Sequence, residues 1–185
     1  MAVKCKIDAN MLKSDSCAYN LPEVVELWIA NFEDVVSTAF GTTEGTQNSI
    51  NTITMKQTEG VSAQFYQIQI NKNSGSFTDN LAVGSTNNKY RVHTVTFSVD
   101  RAIADSLPGE IDAFSLGKYI VVVYTASGDY LMLGRLTGME AAESDNVSFA
   151  GGSDQSGLTV TWTANVTESA VPLTAAAVAT VKGTN

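Results

Sequence analysis

The residue types that catalyse reactions or bind metals are sparse in this sequence. His93 is the only histidine, and Cys5 and Cys17 are the only cysteines, so neither a multi-histidine site nor a closed zinc site can form without other ligands. No Gly-x-Ser-x-Gly elbow, phosphate-binding loop or dinucleotide fingerprint occurs. His93 lies within an alternating run of residues, where a packed or half-exposed structural role is far more common than catalysis. The sequence therefore predicts no catalytic, cofactor-binding or metal site.

Acidic side chains form one local group whose composition resembles that of a catalytic pair. Paired carboxylates can hydrolyse glycosides, but 19 acids in 185 residues produce such groups readily, so we interpret this one as a solvated acidic surface. The group consists of Glu140, Glu143 and Asp145. Two polar stretches offer oxygen ligands for calcium, one with Asp79 and Asn80 and the other with Asp154 and Gln155. Neither stretch has the ligand spacing of an EF-hand.

Aromatic side chains support an alternative function, that of a carbohydrate-binding β-sandwich or an adhesin. Such rings can stack on sugars, although aromatic residues of alternating strands belong more often to the core. The candidates are Trp28, Tyr66, Tyr130 and Trp162. A hydrolase is the third alternative, and it would need convergent carboxylates or a nucleophile beside His93.

The overall composition favours a protein that is covered by partners and does not bind nucleic acid. Hydrophobic residues make up 44% of the chain and charged residues 16%, which suits a real core but leaves few charges for a free surface. The net charge of −8 would repel phosphate groups, and the eleven Lys and Arg residues are scattered. Neither a secretory signal nor an apolar run of bilayer length is evident. We therefore expect synthesis in a cytoplasm, free or buried thiols at Cys5 and Cys17, and no membrane partner.

Short alternating runs separated by turn residues predict antiparallel strands over most of the chain. In residues 90–99 the odd-numbered side chains, His93 among them, share one face. Residues 119–124 form an unbroken apolar run, which is typical of a strand buried on both faces. Residues 127–129 then supply the turn of a hairpin.

These patterns predict a mainly β fold, either a β-sandwich or a rolled antiparallel sheet, with one flanking short helix and extended loops or arms. Residues 24–30 favour a strand by their β-branched and aromatic content, although Pro22 would also suit the start of a helix. The flanking helix is expected within residues 100–116, where Pro108 interrupts or restarts it. We expect a single domain over residues 1–185, with an N-terminal arm at 1–22, a loop or arm at 71–89 and a C-terminal arm at 172–185.

Three segments follow one another in a recognisable order. Cys17 and Pro22 lead into residues 24–35, which contain a β-branched and aromatic strand with its turn. Residues 119–134 contain a valine-rich strand, a short turn and a strand that ends in glycine, with Gly138 following. Residues 151–164 contain a glycine-bearing loop and an alternating strand, with Pro172 soon after. This order resembles that of the tail tube and tail ring proteins of bacteriophages that infect Bacteroidetes-type bacteria.

The resemblance implies a fold of the tail-tube type and a non-enzymatic structural role in the virion tail, after synthesis in the host bacterial cytoplasm. It implies three kinds of partner: copies of the chain in a closed six-fold or twelve-fold ring, neighbouring tail or portal-proximal ring proteins, and DNA that passes through the channel without specific binding. A tail tube, a connector ring and a tail hub all fit this pattern.

The candidate strands point to assembly on physical grounds as well. Sheets usually protect their edge strands with charges or proline, and the candidate strands here hold few of either. We therefore expect strand addition between subunits, closed by rotational symmetry. If acidic side chains line the channel, DNA would pass without sticking, because contacts from Lys and Arg are what create affinity for phosphate.

Overall fold

The structure is a computed structural model, and it describes residues 23–85, 88–100, 108–147 and 157–183. Over these residues the protein is mainly β, and the strands of its sheets pair antiparallel. An isolated parallel bridge joins Ile50 to Leu173. The expected mainly β, antiparallel fold is therefore confirmed.

The described residues form the following strands and helical elements. In chain order the strands are β1 (Val24–Asn31), β2 (Val35–Phe40), β3 (Ile50–Met55), β4 (Gln57–Thr58), β5 (Val61–Ser62), β6 (Tyr66–Ile68), β7 (Ser76–Val83), β8 (Lys89–Asp100), β9 (Lys118–Thr125), β10 (Tyr130–Leu133), β11 (Met139–Val147), β12 (Gly157–Val166) and β13 (Val171–Pro172). The helical elements are a 3-10 turn at Phe32–Asp34, α1 (Pro108–Leu116) and α2 (Ala175–Lys182).

One large sheet contains most of the strands, and β9 lies at its centre, where it pairs with β1, β10 and β11. On one side β9 pairs with β1, which in turn pairs with β6. On the other side the end of β9 pairs with β10, while its first residues, Lys118 and Tyr119, pair with β11. From β11 the sheet continues through β12 and β8 to β7. Because β9 changes partner along its length, the part of the sheet from β11 to β7 continues as a distinct four-stranded panel.

The inner face of this sheet encloses the main hydrophobic core. Trp162 lies at its centre, where the rings of Phe97, Phe114 and Tyr119 surround it at centroid distances of 5.0, 5.9 and 5.1 Å. The indole Nε1–H of Trp162 donates a hydrogen bond of 2.9 Å to the carbonyl of Phe114 in α1. The helix therefore closes this core.

A second core lies on the outer face of β9. Ile120 and Val122 of this strand face it, whereas Val121 and Val123 face the main core. The hairpin of β2 and β3 contributes Ile50 to the second core, and the buried side of α2 completes it. The unbroken apolar run at 119–124 thus forms a strand buried on both faces, as its sequence predicted.

Other local predictions are confirmed, since each rests on a strong pattern. Residues 24–30 lie in β1, as their β-branched content favours, and not in a helix. Within residues 100–116 the described helix α1 spans Pro108–Leu116. In β8 the odd-numbered side chains from His93 to Val99 are buried and the even-numbered ones are only half-buried.

Two expected arms have a different structure. Residues 76–83, within the stretch expected to be a loop or arm, form β7, because Phe77, Asp79 and Leu81 alternate with small polar residues and pair with β8. Residues 175–182 of the expected C-terminal arm form α2, which packs on its own subunit through Ala177 and Val181. The loop interpretation was wrong for the first and the arm interpretation for the second. The expected arm at 1–22 lies outside the described residues, as do Cys5 and Cys17.

None of the helices in the described part of the chain combines the length and the apolarity that a bilayer span requires.

Candidate assembly edges and the buried polar network

The outermost strand of the four-stranded panel, β7, presents an open and nearly uncharged edge. Among the described residues β8 is the one strand paired with it. Its eight residues contain no proline and no basic residue, and Asp79 is their one charge. Edge strands without proline, lysine or a covering element are ready templates for pairing with another chain. The edge of β7 is thus available for strand addition.

The opposite margin of the panel, β11, is also open over most of its length. Met139 and Glu140 pair with the start of β9, but beyond Glu140 no strand other than β12 pairs with β11 within the described ranges. Among the described residues each outer strand of the panel therefore lacks a further paired strand on that side, and α1 contacts β11 through the hydroxyls of Ser115 and Ser144, 3.2 Å apart.

The end of β7 carries two uncovered apolar side chains, which we call the apolar tip. Leu81 and Val83 are 60% and 56% exposed, although they share the face on which Phe77 packs against the main core. Their cross-strand neighbours are Arg91 and Lys89. The core-facing side of the β7–β8 hairpin thus extends beyond the core that covers it.

The outer face of the panel is an array of hydroxyl side chains, which we call the hydroxyl face. Cross-strand partners lie on the same face of a sheet, and the register places Ser76 beside Thr96 and Thr96 beside Thr161. The next row contains Thr78, Thr94 and Thr163. In full the face comprises Ser76, Thr78, Thr94, Thr96, Ser98, Thr159, Thr161 and Thr163.

Neighbouring hydroxyls of this face bond to each other. The Oγ1 atoms of Thr96 and Thr161 are 3.1 Å apart, and Ser98 Oγ lies 2.9 Å from Thr159 Oγ1. The rows continue into β11, where Glu143 pairs with Thr161 and Glu140 pairs with Thr163. These pairings leave the face polar but nearly uncharged, with carboxylates at one margin.

His93 is packed beneath this panel, as the sequence predicted. Its side chain is 1% exposed, and its Nδ1 accepts a hydrogen bond of 3.3 Å from the backbone N–H of Gly134. An accepting Nδ1 carries no proton, so the neutral ring holds its proton on Nε2. Asp79 Oδ1 lies 3.5 Å from Nε2. Both ring nitrogens are thus turned toward the protein interior.

Asp79 is the hub of this buried network. Its Oδ1 accepts a hydrogen bond of 2.6 Å from Arg91 Nε, and its Oδ2 accepts one of 3.0 Å from the Ala170 N–H. It lies on strand β7 and not in a polar loop. An inward-pointing charge can itself block edge pairing, but here the body of the subunit neutralises it.

A second buried ion pair ties the turn after β10 to the chain after β12. Arg135 Nε donates a hydrogen bond of 2.7 Å to Glu168 Oε1, and Arg135 also bonds to Thr38 in β2. Glu168 is 8% exposed. The guanidinium also lies 5.2 Å from the ring centroid of Phe40. The pair therefore fastens the β2–β3 hairpin to the main sheet.

Burial and pairing shift the pKa values of this network. Burial lowers the pKa of His93, and the nearby Asp79 and Glu168 only partly oppose that effect. Burial also raises the pKa of Asp79, but the hydrogen bonds from Arg91 and Ala170 outweigh it and hold that pKa below its ordinary value. The imidazole is consequently neutral and Asp79 ionised near neutral pH.

The acidic group around β11 is solvated where the structure describes it. Glu140 and Glu143 are both exposed, and Glu140 forms an ion pair of 2.8 Å with Lys118. No three side chains of His, Cys, Asp or Glu within the described ranges gather into a group that could hold a metal ion. The side chain of Asp145 and the pair Asp154 with Gln155 lie outside the description.

The four aromatic candidates for sugar stacking do not form a common surface. Trp162 is fully buried, whereas Tyr66 is 54% exposed at the edge strand β6. Trp28 and Tyr130 are half-buried, and both donate hydrogen bonds to Glu26 Oε2. Around Glu26 these two side chains form a cluster with Lys182 of α2, which pairs with Glu26, and with Tyr124, which stacks on Tyr130. The sequence did not reveal this cluster, because its members come from distant elements.

Most basic side chains of the described residues already have acidic partners. The pairs are Arg91 with Asp79, Lys118 with Glu140, Arg135 with Glu168 and Lys182 with Glu26. Paired cations have less to offer to the phosphates of a nucleic acid.

Comparison with protein-family models, with curated proteins and with solved structures found no match.

Proposed function

We propose that this protein is a virion structural subunit that assembles with copies of itself into a ring or tube of the phage tail, forming part of the DNA-ejection channel. The observation that carries the proposal is the four-stranded panel, whose outer strands, β7 and most of β11, pair with no further strand among the described residues. One free edge commonly gives a dimer, whereas two different edges on opposite sides of a panel support head-to-tail growth. Head-to-tail contacts close into rings when the rotation between copies allows it.

Strand direction favours pairing between β7 of one copy and β11 of the next. Neighbouring strands alternate in direction across the panel, from β11 through β12 and β8 to β7. Because the panel has an even number of strands, its two edges run in opposite directions. Copies related by rotation about an axis along the strands therefore meet with β7 antiparallel to β11, and the alternation continues from copy to copy.

The side chains at these edges support the same pairing. On the outer face β7 offers Ser76, Thr78 and Asn80, which are uncharged and exposed. On the same face β11 offers Glu143, whose carboxylate can accept hydrogen bonds from them. The charge of Asp79 points to the other face, where Arg91 neutralises it. On that face the side chains of an added strand would cover the apolar tip.

Disulfide trapping tests this pairing directly. Within one subunit β7 and β11 are separated by two strands, or about 14 Å at the usual strand spacing, which is too far for a disulfide. We suggest pairing Glu143→Cys in turn with Ser76→Cys, Thr78→Cys and Asn80→Cys, in a background with Cys5→Ser and Cys17→Ser. The three partners sample three registers of one junction.

At least one of these pairs should give a ladder of covalent oligomers under oxidising conditions, and the highest rung counts the subunits of the ring. The matched control joins Thr78→Cys with Val61→Cys, an exposed position of the separate β4–β5 hairpin. Negative-stain images and light scattering of the unmodified protein provide an independent test. Monomers at every concentration, without rings or tubes and without a ladder, would overturn the proposed function.

A further inference from the structure

We propose that His93 makes the contact between β8 and the turn at residues 134–138 sensitive to acid. A proton on the buried imidazole breaks this contact, and the turn then loses its hold on β2. All of the contacts involved lie within one subunit, so this conformational switch does not depend on assembly into a ring.

The hydrogen bond between His93 and the turn exists only while the ring is neutral. Nδ1 accepts the backbone N–H of Gly134 at 3.3 Å, and the side chain is 1% exposed. An imidazolium carries a proton on both nitrogens, so it has no acceptor to offer. Protonation would therefore place the Nδ1–H against the Gly134 N–H, two donors with no acceptor between them.

The charged groups around the ring do not compensate an added proton. Asp79 faces the ring from β7, Arg91 from β8 and Glu168 from the chain after β12. Arg91 already neutralises Asp79, and Arg135 of the turn already neutralises Glu168. A proton on His93 thus adds one excess positive charge to a buried site, which is unfavourable unless the site opens to water. Burial accordingly outweighs the attraction of both carboxylates and lowers the pKa of the ring.

The turn is the part of this site that can move. β8 is held on both sides of His93, where Ala164 of β12 and Asp79 of β7 are the partners. The residues between Gly134 and Gly138 belong to no strand, and a bond of 2.7 Å from the Gly138 N–H to the Gly134 carbonyl joins the two ends of the turn. Both glycines have positive φ angles, 68° and 71°, and glycine changes backbone conformation at little steric cost.

Release of the turn would reach β2 through Arg135. This side chain donates a hydrogen bond of 3.0 Å to Thr38 Oγ1 and lies 5.2 Å from the ring centroid of Phe40, both in β2. β3 has a separate attachment, because its Ile50 is buried in the second core. The loosened region should therefore comprise the turn and its contacts with β2, while the panel from β11 to β7 keeps its strand pairing.

Nuclear magnetic resonance can follow both the ring and the turn. His93 is the only histidine, so the imidazole ¹⁵N signals belong to it alone, and at pH 7.5 they should show a protonated Nε2 and an unprotonated Nδ1. Amide hydrogen exchange of Gly134 and Gly138, corrected for the intrinsic effect of pH, measures opening of the turn. If the ring titrates with its ordinary pKa of about 6.5 in the open state, opening becomes up to about thirtyfold more favourable between pH 7.5 and pH 5.

The dependence on urea separates this local opening from global unfolding. Opening of the turn exposes little surface, so exchange of Gly134 and Gly138 should not respond to low concentrations of urea, whereas the slower exchange at the centre of β8 should. In His93→Gln, whose side chain can accept a hydrogen bond but does not titrate, protection of the turn should be equal at the two pH values.

The unmodified protein decides the question even if His93→Gln does not fold. Three results would overturn the acid-sensitive contact. They are equal protection of the turn at pH 7.5 and pH 5, the same urea dependence for the amides of the turn and of β8, and a protonated Nδ1 at pH 7.5.

Discussion

The apolar tip of β7 gives the sharpest prediction about assembly. Replacing both of its side chains, with Leu81→Thr and Val83→Thr, places β-branched threonine, which favours a strand, at both positions and removes most of the apolar surface. Both positions are more than half exposed in the isolated subunit, so the fold has little to lose. We expect the free energy of unfolding to change by no more than about 0.5 kcal/mol, as for other surface substitutions.

The loss should appear in self-association. Full burial of a leucine or valine side chain contributes about 1.5–3 kcal/mol, and the tip still exposes 60% and 56% of Leu81 and Val83. Covering that remainder would therefore contribute roughly 2 kcal/mol per junction. Since 1.4 kcal/mol corresponds to a factor of ten, the double variant should associate about 30-fold more weakly.

Sedimentation velocity over a concentration series would measure that change, with urea unfolding as the check on stability. The matched control is Val61→Thr, because Val61 is 71% exposed but belongs to the separate β4–β5 hairpin. The reasoning fails if the double variant associates as tightly as the unmodified protein, or if the control weakens association to the same extent.

Three further predictions concern the network beneath the panel and the core. Burial keeps the pKa of His93 in the folded protein below its ordinary 6.5. The free energy of unfolding should therefore be highest above pH 6.5 and decrease below it, because the unfolded chain then binds a proton that the folded protein does not. The slope should be at most about 1.4 kcal/mol per pH unit. The urea concentration at half unfolding should be lower at pH 5 than at pH 7.5 for the unmodified protein, and the two values should be closer together for His93→Gln. Equal values at the two pH values in the unmodified protein would contradict this prediction. Arg135→Ala leaves buried Glu168 unpaired and should lower the free energy of unfolding by about 3–5 kcal/mol. Adding Glu168→Ala to this variant should restore part of that loss. If the losses of the two single variants simply add in the double variant, the two residues are not coupled. Trp162→Ala removes the centre of the main core and should cost about 3–5 kcal/mol in chemical denaturation, and a loss below 1 kcal/mol would show that the ring cluster is not the core.

Residues with a single strong pattern were predictable from sequence. The apolar run at 119–124 admits few other structures, and the alternation in β8 placed His93 on the buried face. Both depend on local periodicity, which does not require knowledge of the partners.

The strand β7 and the helix α2 depended on distant partners and were missed for that reason. The polar residues of β7 form a strand because β8 pairs with them, and the Ala- and Val-rich residues of α2 form a helix that buries Val181 on the second core. Likewise, no sequence motif reveals the network that joins Asp79 to Ala170 and Arg135 to Glu168. Long-range pairing decides these features, and single-sequence patterns do not contain it.

The position of α2 also has a consequence for the order of biosynthesis. The helix completes the second core, yet the ribosome makes it after β3, β9 and β10, whose outer faces it helps to cover. Until residues 175–182 emerge, Ile50, Ile120 and Met132 lack that cover, and a nascent chain is vulnerable to aggregation at such surfaces. Maturation of the subunit should therefore lag behind translation of its sheet, and C-terminally truncated chains should depend on chaperones.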